Sequence, residues 1–138
     1  MRQAMFVLQL RPDRRGLCEI SESVRSWVSK QGISAGMLTL FCRHTSASLL
    51  IQENAARAVR SDLEKFFDEL APEDADYEHD DEGPDDMPAH LKTALTQVQL
   101  SVPVMDGRLM LGTWQGIYLF EHRTHPSPRE IVLHLVGE

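Results

Sequence analysis

Three histidines stand in polar surroundings that suit them for chemistry. They are His44 in Arg43-His44-Thr45-Ser46-Ala47-Ser48, His90 in Asp85-Asp86-Met87-Pro88-Ala89-His90, and His122 in Glu121-His122-Arg123. Imidazole is the commonest metal ligand and the usual proton carrier near neutral pH. Drawn together from separate elements, the three would make one of the ligand sets of an open catalytic metal centre. Spacing alone favours three unrelated polar histidines, because no two of them sit at i, i+4 or another short ligand interval. Asp85 and Asp86 precede His90 closely enough to orient its ring or to co-ligate a hard cation. Ser46 and Ser48 alternate with His44, so an extended chain lines all three along one face. Buried hydroxyls and imidazoles need partners, so such a face points to a ligand pocket, with an exposed strand face as the alternative. A Ser–His nucleophile is poorly supported. The chain lacks a Gly-x-Ser-x-Gly elbow, and residues i and i+2 of one strand are badly placed for a triad.

Other residues carry weaker signals. Asn54 reads as a helix cap whose helix terminus lies near the Ser46–Ser48 segment. Gly112-Thr113-Trp114-Gln115-Gly116 joins two strands. There Trp114 is either core or a stacking surface for a planar ring, and Gln115 wants a polar partner. Arg123, at a strand end, is suited to a phosphate. His79, His125 and His134 read as structural or solvent-exposed.

The elements that must position these residues follow from apolar periodicity. Strands are expected over 3–10, 36–43, 46–52, 99–105, 108–113, 116–122 and 130–136. Helices are expected over 21–31, 55–70 and from Asp86 onward. The apolar stripes of the helices are Val24, Trp27 and Val28; Val59, Leu63, Phe66, Phe67 and Leu70; and Leu91, Ala94, Leu95 and Val98. Asp106-Gly107 predicts a tight hairpin turn with φ > 0 at both residues, and 116–122 and 130–136 are expected to pair across a proline-bearing loop. Strands that cluster, instead of alternating singly with helices, indicate an α+β fold.

Composition narrows the function classes. The 138 residues suit one domain spanning 1–138, and no apolar run approaches the roughly 20 residues that cross a bilayer. Two cysteines are too few for a disulfide framework, and no signal peptide is evident, so a cytoplasmic, reduced setting is expected. The net charge of −7 is local. Residues 73–86 hold nine acids and no Lys or Arg, which leaves about +2 for the rest of the chain. This acidic loop, about 71–86, repels a nucleic-acid backbone and attracts divalent cations. Its first half reads as a solvated loop; a ligand role is more credible near His90.

Several of these strings resemble the YjbQ-like family: His44-Thr45-Ser46-Ala47-Ser48-Leu49, Glu53-Asn54-Ala55, Asp85-Asp86-Met87-Pro88-Ala89-His90-Leu91-Lys92, and Gly107-Arg108-Leu109 through Leu111-Gly112-Thr113-Trp114-Gln115-Gly116-Ile117-Tyr118. The resemblance covers roughly residues 16–137, and the motifs fall in the family's order. It implies a compact α+β domain with mixed or antiparallel sheets and about three helices, assembled as a homotrimer. It also implies an activity of the thiamine-phosphate-synthase type, in which hydroxymethylpyrimidine diphosphate is joined to thiazole phosphate with loss of diphosphate. In the family this is regarded as a side capability. A divalent metal, zinc or magnesium, would be held by His44, His90 and His122, with Asp86 beside them. Ser46, Ser48, Asn54, Trp114, Gln115 and Arg123 would bind the small-molecule substrate. The family often carries a histidine before its Glu-Gly pair, a place that His79 only loosely fills. Two other functions stay open: a metal-dependent hydrolase, and a non-catalytic trimeric metal- or ligand-binding protein.

Overall fold

The computed structural model describes all 138 residues. The elements run β1 (Arg2–Leu10), β2 (Gly16–Glu19), α1 (Ser21–Ser29), β3 (Gly36–Cys42), β4 (Ala47–Glu53), α2 (Arg57–Leu70), α3 (Asp86–Leu95), β5 (Gln99–Met105), β6 (Arg108–Leu109), β7 (Gln115–Glu121) and β8 (Arg129–Gly137). They build an α+β fold of three helices and two antiparallel sheets, a curled half-barrel. One sheet has the order β1-β8-β3-β5-β6 and the other β2-β7-β4.

Side-chain alternation explains how the sheets close on each other. Leu100, Val102 and Val104 of β5, Leu38 and Leu40 of β3, and Ile131, Leu133 and Leu135 of β8 point to one side. They meet Ile117 and Leu119 of β7, Ala47 and Leu49 of β4, and Val24 and Val28 of α1 in one core. The opposite face of β7 presents Tyr118 and Phe120 to Leu17, Leu63 and Phe67, the last two from α2. Strand β7 is thus covered on both faces, which is why Ile117–Phe120 is a continuous apolar run instead of an alternating one.

That parity carries past the end of β7. Glu121 turns toward the inner face of β8, where it meets Arg129. His122 follows Phe120 and packs against it, the two rings tilted by 53° with centroids 4.4 Å apart. Asp106 and Gly107 take φ of 52° and 73°, as their turn type requires.

Four expectations need correction. Residues 116–122 and 130–136 do not pair; β7 lies between β2 and β4, and β8 between β1 and β3. The short β2 is an additional strand, recruited by its pairing with β7 and not by any periodicity of its own. Helix α2 begins at Arg57, and the Glu53 carboxylate, not the Asn54 side chain, accepts the leading N–H groups of Ala55 and Ala56. Helix α3 buries Asp86, Pro88, Ala89 and Lys92, while Leu95 is left exposed. Its polar face can turn inward because Asp86 and Lys92 find ionic partners there, as buried polar groups require.

Candidate metal centre at the start of the third helix

Asp86 is the first residue of α3 and His90 lies one turn later on the same face. Asp86 Oδ2 is therefore 3.3 Å from His90 Nε2. The acidic loop folds back so that His79 Nε2 sits 2.7 Å from the same oxygen. The donor atoms of His79, Asp86 and His90 all lie within 4.8 Å of one another. Glu82 Oε2 is 3.0 Å from His79 Nε2, and Asp81 Oδ1 is 3.6 Å from His79 Nδ1. The hydrogen bond to Asp86, and then the surrounding negative charges, raise the His79 pKa above its ordinary value. Two imidazole nitrogens and a buried carboxylate oxygen form a mixed N/O donor set. Such a set fits zinc and other transition-type divalent ions better than magnesium, which prefers oxygen ligands throughout.

The loop is tied to the sheet by Arg123. Its Nε donates to Asp85 Oδ2 at 3.0 Å, Nη1 to Asp86 Oδ1 at 2.6 Å, and Nη2 to the Glu82 carbonyl at 2.9 Å. Burial works against the charge of Asp85, but the Thr124 N–H and the Arg123 fork outweigh it and hold this carboxyl below the usual range. Arg123, expected to take a phosphate, spends all three of these nitrogens inside the chain.

His122 and His44 lie outside this donor group. His122 is buried, with Nε2 2.9 Å from Ser48 Oγ; that hydroxyl also accepts from Thr96 Oγ1 at 2.6 Å. Its Nδ1 is buried with no partner. Burial first, then the nearby cations Lys92, Arg129 and Arg15, push its pKa down to about 3, so the ring is neutral. His44 lies between β3 and β4, and its Nε2 accepts the Glu130 N–H at 2.9 Å. The proton of the neutral ring then sits on Nδ1, so the Arg129 Nη1 contact at 3.4 Å is packing and not donation. Burial and Arg129 lower the His44 pKa.

A buried ion pair supports both histidines. Glu121 and Arg129 are 0% and 3% exposed. Arg129 Nε donates to Glu121 Oε1 at 2.7 Å, and the N–H groups of His122 and Arg123 both donate to Glu121 Oε2 at 3.1 Å. Arg129 Nη2 also donates to the Ser46 carbonyl. Ser46 and His44 rim an open groove of about 850 Å³ that also takes in Thr93 and Thr96.

Asn54, Trp114 and Gln115 gather at the other end of β7. Asn54 Nδ2 donates to the Thr113 carbonyl at 3.1 Å, and Gln115 Oε1 accepts the Gly112 N–H at 2.7 Å. Trp114 is 64% exposed, which removes the core placement and leaves a surface ring. The seven-residue strand β7 runs from Gln115 to Glu121, roughly 20 Å of chain. The candidate site residues therefore form two groups within one chain. The missed member is His79, whose signal was its place three residues before Glu82-Gly83.

The model of the family described as UPF0047 protein YjbQ-like matches residues 7–138. The UPF0047 protein sll1880 of Synechocystis sp. is 46% identical over 138 residues, covering 99% of this chain and 94% of that one. The UPF0047 protein YjbQ of Salmonella typhimurium is 52% identical over 106 residues, 77% of each chain. Among solved structures, a YjbQ-like protein of unknown function from Sulfolobus solfataricus superposes with a TM-score of 0.91 at 26% identity, covering 99% of both chains. A YjbQ/UPF0047 family protein from Clostridium acetobutylicum gives 0.83 at 32% identity, over 96% of this chain and 99% of that one. The chain belongs to the YjbQ-like UPF0047 family.

Proposed function

We propose that this protein is a divalent-metal-dependent enzyme whose metal is held by His79, Asp86 and His90. The observation that carries the proposal is the convergence of two imidazole nitrogens on one oxygen of a buried carboxylate, at 2.7 and 3.3 Å. The reaction it would serve is the thiamine-phosphate-synthase-type transfer implied by the family resemblance. In that reaction the bond from the pyrimidine methylene to the diphosphate oxygen breaks, the thiazole nitrogen bonds to the methylene, and diphosphate leaves. A bound divalent ion supplies positive charge where the leaving group gains negative charge. Ser46 and His44 would line the substrate groove, and the exposed Trp114 ring, at the far end of β7, would reach that substrate only from a neighbouring subunit.

A homotrimer is part of the proposal. The outer face of the five-stranded sheet carries Met5, Val7, Met37, Phe41 and Met105, all exposed and with no helix over them. Exposed apolar surface of that kind marks an interaction face. No helix is long and apolar enough to cross a membrane. Both cysteines are free thiols, which supports a reduced, cytoplasmic setting.

One observation favours the hydrolase as second reading. Arg123 and Lys92 are already paired with Asp85, Asp86 and Asp68, and Asp81 and Glu82 surround the donor group. A less negatively charged substrate suits those surroundings better than a diphosphate. Metal content of protein purified without chelator or affinity tag, beside Asp86→Asn and His90→Ala, tests the metal. Incubation with both thiamine precursors, and separately with a panel of esters and amides, tests the reaction. Thiamine phosphate formed by the wild type and lost in both variants supports the transfer. Ester or amide turnover without it moves the function to hydrolysis. A metal-free wild type with no turnover refutes both.

A further inference from the structure

The geometry points to Arg123 as the residue that positions the metal-binding carboxylate of Asp86 and closes the acidic loop around it. This inference rests on the proposed metal centre and concerns how that centre is built.

Asp86 uses its two oxygens differently. Oδ1 accepts Arg123 Nη1 at 2.6 Å, while Oδ2 faces His79 and His90. The guanidinium therefore sits on the back of the carboxylate and leaves the ligand oxygen free. Its other donors hold Asp85 and the carbonyl of Glu82, so one rigid fork fixes both ends of the turn from Glu82 to Asp86. His79, Asp81 and Glu82 lie in or just before that turn.

Arg123 is itself fixed. Its main-chain N–H donates to Glu121 Oε2, and Glu121 is locked in the fully buried pair with Arg129. The position of Asp86 Oδ2 is thus set by β7 and β8 through a chain of charge-assisted hydrogen bonds, and not by α3 alone. Lysine cannot reproduce this arrangement, because an ammonium is a point charge without the planar fork.

Two effects of Arg123 on metal binding oppose each other. Its positive charge repels an incoming cation, and its hydrogen bonds hold the ligand oxygen and quiet the repulsion among Glu82, Asp85 and Asp86. The back-side geometry makes the second effect the larger, because removing a group that orients a metal ligand typically costs about 10–100-fold in affinity.

The test is calorimetric titration of zinc and cobalt(II) into metal-free wild type, Arg123→Ala and Arg123→Lys, each checked for fold by circular dichroism. Arg2→Ala serves as control, since it removes an exposed arginine that bonds the Gln31 and Gly32 carbonyls far from the loop. Affinity about 10–100-fold weaker in Arg123→Ala, intermediate in Arg123→Lys and unchanged in Arg2→Ala supports the inference. A visible cobalt spectrum altered in both Arg123 variants but not in the control would support it further. Wild-type binding with equal or tighter binding in Arg123→Ala overturns the inference alone, because Arg123 would then be only a counter-ion. If Arg123→Ala does not fold, the same comparison is made with Arg123→Lys, and wild-type affinity and spectrum there overturn it. Absence of binding by the wild type overturns the metal centre and the inference with it.

Discussion

The pair of Glu121 and Arg129 offers the sharpest test of how this site is held. Glu121→Gln keeps the shape of the side chain and removes its charge. The carboxylate accepts from Arg129 Nε and Nη2 and from the N–H groups of His122 and Arg123. An amide has one oxygen to offer, and its NH₂ must then face another donor. The Arg129 guanidinium, 3% exposed, stays in place with no counter-charge. Breaking one side of a buried pair costs about 3–5 kcal/mol. In a chain of this length each kcal/mol moves Tm by roughly 3 °C, so a fall of roughly 10–15 °C is expected. Replacing both partners, as in Glu121→Gln with Arg129→Met, removes the stranded charge and should recover part of the loss. The assay is thermal and urea unfolding at fixed protein concentration, with far-UV and near-UV dichroism followed together. A single-variant loss below about 1 kcal/mol, or a double variant worse than the sum of the singles, refutes the argument.

Other outcomes follow from the same structure. His122, with its pKa pushed down to about 3, binds no proton in the folded state at pH where the unfolded ring, near 6.5, does. Metal-free protein should therefore lose stability as pH falls from about 6.5 toward 3, and His122→Gln should reduce that slope by up to about 1.4 kcal/mol per pH unit; identical urea-unfolding slopes would contradict it. Ser48→Ala removes the only hydrogen-bond partner of the His122 ring and should cost about 1–3 kcal/mol in the same experiment. Asp68→Ala leaves the ammonium of Lys92, 3% exposed, without its acceptor, and should destabilise more than Lys92→Met, as measured by Tm. Gly36→Ala would drive a Cβ into the Val136 carbonyl and force β3 from β8. Loss of at least about 1–3 kcal/mol is expected there, and wild-type stability would show that the sheet yields easily.

What could be read before the structure was what short-range chemistry decides. Helix α1 and its stripe of Val24 and Val28, the alternation of β5, and the Asp106-Gly107 turn depend on neighbours a few residues apart. The inward turn of the polar face of α3 was not legible, because its reason lies in Asp68 and Arg123, 24 and 37 residues from their partners on the helix. His79 looked like one more residue of a solvated acidic loop. Its place beside Asp86 depends on a fork donated from beyond β7, and no local pattern encodes that.

The three proposed ligands, His79, Asp86 and His90, come from a single stretch of twelve residues. An unfolded chain keeps that stretch intact and offers the same donors to an ion, so binding of the proposed metal would be linked to folding only by what the folded chain adds. Stabilisation by metal should then fall short of what the affinity of the folded protein alone would give, because part of it is cancelled by binding to the unfolded ensemble. The share that survives is what distant strands add to the stretch when they close on it.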